Sequence, residues 1–136
     1  MNISVNQTQG RVPVAVLGVQ GDLDASNFEL LIAQVQDIYR AGTRHVLLDL
    51  SQTTFVSSSG LVALHSIAML LQGRQPPGAE DGWGAIHAVG RDLGGGVQPH
   101  VKLLNPQPKV ERVLEKAGLK EVFEIHTDRA AALASF

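Results

Sequence analysis

Polar and apolar positions divide the chain into alternating strand and helix patterns. Ile3, Val5 and Thr8 alternate with polar residues, and after Gly10 comes a nearly continuous apolar run, Val12 to Val19. Alternation suits a half-exposed strand; a continuous run suits a strand covered on both faces, with Pro13 near its start. Ser26 and Glu29 have the spacing of a capping box. Phe28, Leu31, Ile32, Val35, Ile38 and Tyr39 then recur on one face, which predicts an amphipathic helix ended by Gly42.

His45 to Leu50 reads as the next strand, Ser51 to Ser57 as a loop, and Ser58-Ser59-Gly60 as the opening of a helix through about Gln72. That helix is apolar on most sides and is expected to be largely buried. Residues 73 to 99 break the pattern: they hold eight of the 14 glycines and three of the six prolines. They read as a long surface excursion, with a short helix around Trp83 to Val89 and Trp83 as its anchor. Val101 to Leu104 is a strand. Val110, Val113, Leu114 and Ala117 mark a helix stopped by Gly118, and Val122 to Ile125 is a last strand. Thr127 or Asp128 caps a final short helix. The order β-β-α-β-α-excursion-β-α-β-α predicts one α/β domain over residues 1–136. Its sheet is mixed and mostly parallel, with about five strands and about four helices.

Composition narrows the function classes. Apolar residues make up 44% and charged residues 18%, which excludes a disordered chain. Eleven basic against 13 acidic residues leave a formal charge of −2, so nothing points to nucleic acid or an anionic membrane. With no cysteine there are no disulfides and no thiolate metal sites. The start, Met-Asn-Ile-Ser-Val-Asn, has no signal-peptide pattern, and the apolar stretch Leu61 to Leu71 is too short for a membrane span. The expected location is cytoplasmic.

Catalytic patterns are missing. No serine lies in a G-x-S-x-G elbow. Ser58 and His65, seven apart on a helix, are separated by about 10.5 Å along its axis, beyond the roughly 3.2 Å a nucleophile and base require. His65 therefore reads as a packed or solvent-edge residue. No two histidines have metal-ligand spacing in sequence, and Gly94-Gly95-Gly96 lacks the Lys-Ser/Thr of a phosphate loop. No enzyme activity, catalytic residue, metal or cofactor is expected. The serines before the second helix are first of all a capping signal. A serine there also suits a phosphate, because exposed N–H groups and the helix dipole stabilise a dianion. Asp22 and Asp24 read as turn-forming and helix-capping residues. In an open α/β sheet, converging strand ends would bring them near the serine loop.

Gly21-x-Leu23-Asp24, Val46 to Ser51 and Phe55-Val56-Ser57-Ser58-Ser59-Gly60-Leu61 together resemble the STAS domain of bacterial anti-sigma factor antagonists. Asn105-Pro106, Val110, Leu114, Gly118-Leu119 and Phe123-Glu124-Ile125 are similar to that family's C-terminal half. The resemblance implies a binding switch: an antagonist that binds an anti-sigma factor, itself a serine kinase, and so frees a sigma factor. Phosphorylation abolishes binding and a serine phosphatase restores it. Carried onto this chain, the phosphoacceptor is Ser58, with Ser57 and Ser59 as alternatives, and the partner-binding positions are Asp22, Asp24, Ser57, Ser59 and Gly60. Where the family motif has aspartate before the acceptor, this chain has Ser57. The alternative implied is a non-phosphorylated STAS scaffold or ligand-binding module in a signalling complex.

Overall fold

The computed structural model describes residues 2–72 and 100–136; the expectations for the excursion, including Trp83, lie outside them. The described residues form β1 (Asn2–Gln9), β2 (Pro13–Leu23), α1 (Phe28–Arg40), β3 (Val46–Asp49), β4 (Thr53–Val56) and α2 (Ser58–Leu71). After the excursion come β5 (Val101–Leu104), α3 (Pro108–Lys116), a 3-10 turn (Leu119–Glu121), β6 (Glu124–His126) and α4 (Arg129–Ala134).

The sheet runs β1-β2-β3-β5-β6, with β4 attached to the far end of β2. Among the described residues only the β1/β2 hairpin is antiparallel; β2/β3, β3/β5, β5/β6 and β2/β4 are parallel. The α/β class and the mostly parallel sheet agree with the pattern-based expectation. The sixth strand is Thr53–Val56, inside the segment read as a loop. Two β-branched threonines followed by Phe55 and Val56 carried the strand signal, but the segment is only four residues long.

β2 serves two neighbours in turn. Ala15 to Gly18 pair with β3 and Gly21 to Leu23 with β4, and the register shifts between Gly21 and Asp22. Gly21 has φ 96°, which a side chain would disfavour, so it supplies the bend at the changeover. The buried Thr53 hydroxyl donates to the Val19 carbonyl at 2.7 Å and the Gly21 N–H to the Gln52 carbonyl at 3.0 Å, closing the corner.

Strand alternation sorts side chains to two faces. Ala15, Leu17, Val19, Val46, Leu48 and Leu103 face the main core, against Leu31 and Val35 of α1, Ile67 of α2 and Leu114 of α3. From Gly60 to Leu71, α2 is buried on every side, as its all-round apolar sequence predicts. Val14, Val16, Leu47 and Leu104 point the other way, into a smaller cluster covered by Ala132 of α4.

Two boundaries differ from the pattern-based expectation. α1 starts at Phe28 with Asn27 at the cap, not Ser26, and the Ser26 hydroxyl donates to Asp24 instead. Strand β6 lies later than Val122 to Ile125, because Val122 and Phe123 turn into the core after the 3-10 turn. Asp128, not Thr127, caps α4, accepting from the Ala131 N–H at 3.2 Å.

Candidate functional site

The parallel pairing of β2 with β4 decides where the candidate residues meet. Asp22 lies beside Phe55 and Leu23 beside Val56. One residue further on, the Ser57 N–H donates to the Leu23 carbonyl at 2.9 Å. The Asp22–Asp24 turn and the Ser57–Gly60 segment therefore form one edge, at the end of β2 and the start of α2. The strand ends converge as expected of an open α/β sheet.

The acidic turn is held by its own neighbours. The Asp22 carboxylate accepts from the Thr54 hydroxyl at 2.5 Å. The Asp24 carboxylate accepts from the Ser26 hydroxyl at 2.6 Å and the Ser26 N–H at 2.9 Å. Those two donors hold the Asp24 carboxyl below its ordinary pKa, so it stays charged under mild acid. Asn27 clamps both ends of the turn: its carbonyl oxygen accepts from the Asp24 N–H at 2.9 Å and its amide donates to the Asp22 carbonyl at 2.8 Å. Asn27 and Thr54 were not legible as site residues, since each acts through a partner that only the fold brings close.

The three serines have different surroundings. Ser57 is the N-cap of α2: its hydroxyl accepts from the Gly60 N–H at 3.3 Å. Ser59 is half-buried. Ser58, the first helical residue, is exposed. Gly60 is buried at a close approach: a Cβ there would lie 2.8 Å from the Leu23 carbonyl oxygen and 2.7 Å from Val56 Cγ1. Beside the first turn of α2, an apolar notch of about 230 Å³ is lined by Leu61, Val113, Lys116 and Ala117. Leu61, at i+3 from Ser58, shares its side of the helix. Phe55, 47% exposed, adds an aromatic surface next to Asp22.

The family model described as "Mlab, STAS domain" matches residues 7–77, just over half of the chain. The chain belongs to the STAS-domain family. BtrV of Bordetella bronchiseptica, named as an anti-sigma factor antagonist, is 26% identical over 136 residues, covering 100% of this chain and 95% of BtrV. A crystal structure of a protein from Thermotoga maritima, also named as an anti-sigma factor antagonist, superposes with a TM-score of 0.70. Its identity is 20%, and the match covers 96% of this chain and 91% of that one. The phosphorylated form of the Bacillus cell fate determinant SpoIIAA superposes at a TM-score of 0.51 and 18% identity, over 96% of each chain. At these identities the two structures speak for the fold.

Two further clusters bear on chemistry. In the STAS domain His65 is wholly buried within α2 while Ser58 is exposed, so the two face different environments. Glu124, His126 and Ser135 lie together, but Glu124 at 2.7 Å and Ser135 at 3.4 Å both address the same ring nitrogen, Nε2. A catalytic triad needs the carboxylate on the other nitrogen. Among the described residues no group of three metal-ligating side chains occurs, and no helix is long and apolar enough to cross a membrane.

Proposed function

We propose that this protein is an anti-sigma factor antagonist that binds its anti-sigma factor through the Asp22–Asp24 and Ser57–Gly60 edge, and that phosphate on Ser58 switches binding off. One observation carries the reading: Ser58 is the exposed residue at the start of α2, and the Ser57–Leu23 hydrogen bond fixes that start against the acidic turn. Asp22, Asp24, Ser57, Ser59 and Gly60 frame it, with Phe55 and the Leu61 notch as apolar contacts. The kinase would be the anti-sigma factor itself, and a serine phosphatase would reverse the step.

The physics of such a switch is local. A phosphate adds about −1.5 to −2 charges. At Ser58 it sits on the positive end of α2, so the helix tolerates it. It also joins the Asp22 and Asp24 carboxylates on the outer surface, and a partner that has accommodated two acidic residues then meets roughly twice that charge. The test combines the chain with its cognate anti-sigma factor and ATP, then maps phosphate by mass spectrometry and measures complex formation. Phosphate on Ser58 with loss of the complex is expected. Phosphate confined to Ser57 or Ser59 would move the acceptor.

Ser57 in the family's aspartate position favours a second reading, a STAS module that binds without being switched. Serine and aspartate both cap helices, so Ser57→Asp is expected to change stability by less than about 1 kcal/mol. An aspartate there accepts a hydrogen bond from the acceptor hydroxyl and holds a basic kinase residue more strongly than a serine does. The variant should therefore be phosphorylated faster, as a time course with both forms would show. A stable complex with no incorporation into either form would support the unswitched reading.

A further inference from the structure

Among the described residues α4 is the helix that covers the second face of the sheet, and a cluster of histidines and a lysine lies beside it. His45 and His100 precede β3 and β5, and the pairing of Val46 with Val101 sets them side by side. Their Nδ1 atoms are 3.5 Å apart. The Phe136 ring lies 5.5 Å from the His45 ring and 5.0 Å from Lys102 Nζ. Lys102 is almost wholly buried, and its ammonium donates to Glu124 Oε2 at 3.0 Å, the Ser135 carbonyl at 3.0 Å and the Ser135 hydroxyl at 2.9 Å. Two of its three acceptors thus belong to the residue that follows α4.

We propose that the His45–His100 pair makes the segment from α4 through Phe136 an acid-released strap over the second sheet face. At neutral pH the two facing nitrogens need carry at most one proton between them. A second proton sets two like charges 3.5 Å apart, within reach of the Lys102 charge. Burial, and then the charges of His100 and Lys102, lower the His45 pKa below its ordinary value. A group whose pKa is lowered on folding contributes stability above its unfolded value and loses it as pH falls. Release therefore begins below about 6.5, the ordinary histidine value.

The other charged groups nearby are few among the described residues. On β6, Glu124 stays ionised in mild acid because Lys102 hydrogen-bonds it and lowers its pKa. The His126 ring meets the same carboxylate, with Nε2 2.7 Å from Glu124 Oε1. Arg44, before β3, is turned onto the Tyr39 ring and carbonyl. Asp49, at the far end of β3, accepts from the Ser51 N–H. On α4, Asp128 caps the helix and Arg129 is exposed. A six-residue helix has little stability without its packing, so loosening Phe136 frees the segment and uncovers Val14, Val16, Leu47 and Leu104.

Hydrogen exchange tests this. Corrected for intrinsic rates, protection of the Ala132 and Ser135 amides, which bond to the Asp128 and Ala132 carbonyls, should fall at least tenfold from pH 7.5 to 5.0. Protection of Leu47 and Leu48 should hold. His45→Gln combined with His100→Gln should abolish the difference; His100→Gln alone, the milder change, should at least halve it on a logarithmic scale. Protection independent of pH, an unaltered acid response in either variant, or parallel loss across the whole domain would overturn the proposal.

Discussion

Ser58→Glu is expected to weaken binding to the proposed anti-sigma factor partner by about 100-fold, close to 3 kcal/mol, while the melting temperature moves by no more than about 2 °C. The fold tolerates the change because Ser58 is exposed and sits at the first helical position, where a carboxylate is stabilised by the free N–H groups of α2. The proposed interface would not tolerate it, because like charge placed against a desolvated partner surface costs several kcal/mol. Ser58→Ala serves as the control and should bind as the unmodified chain does. Titration calorimetry and thermal unfolding separate the two effects. If all three forms bind equally well, the switch is not at Ser58.

Gly60→Ala is expected to destabilise the fold by about 2 kcal/mol, or about 7 °C in melting temperature for a domain of this size. Alanine ordinarily gains about 1 kcal/mol over glycine inside a helix, so the predicted sign is the reverse of the propensity expectation. The reason is space. Gly60 has no unusual φ, but an added methyl would lie 2.8 Å from the Leu23 carbonyl oxygen. That oxygen also accepts from the Ser57 N–H, so backing away strains the bond joining the acidic turn to the start of α2. Gly60→Ala should weaken partner binding as well, whereas the half-buried Ser59, which already carries a Cβ, should accept alanine with little change in melting temperature. Thermal unfolding of the two variants gives a direct comparison; a more stable Gly60→Ala chain would contradict the packing argument.

Residue spacing carried much of the fold and part of the site. The helices through Phe28, Leu31, Val35 and Ile38 and through Val110 and Leu114 follow from a 3.6-residue period, with Gly42 and Gly118 ending them at positive φ. Ser58 opens a helix in sequence and in structure. The capping assignment failed because Ser26 and Asn27 compete locally. Asn27 satisfies two backbone groups of the acidic turn, and Ser26 is drawn to the Asp24 carboxylate. Strand Thr53–Val56 was missed because four residues hold too few periods to separate a strand from a loop.

What the sequence by itself determined is the alternation of strands and helices, the apolar character of α2, and the identity of the serines and aspartates near its start. These are local properties, set by spacing within a dozen residues. Only the tertiary structure decided that β2 changes partner at Gly21. That change puts Asp22 and Asp24 against the Ser57 segment rather than beside β3. It also decided that Gly60 is needed for space, and that His45 and His100, 55 residues apart, share a contact at 3.5 Å. Pairing register between strands is a non-local choice, made by the packing of the two faces together, and no window along the chain contains it.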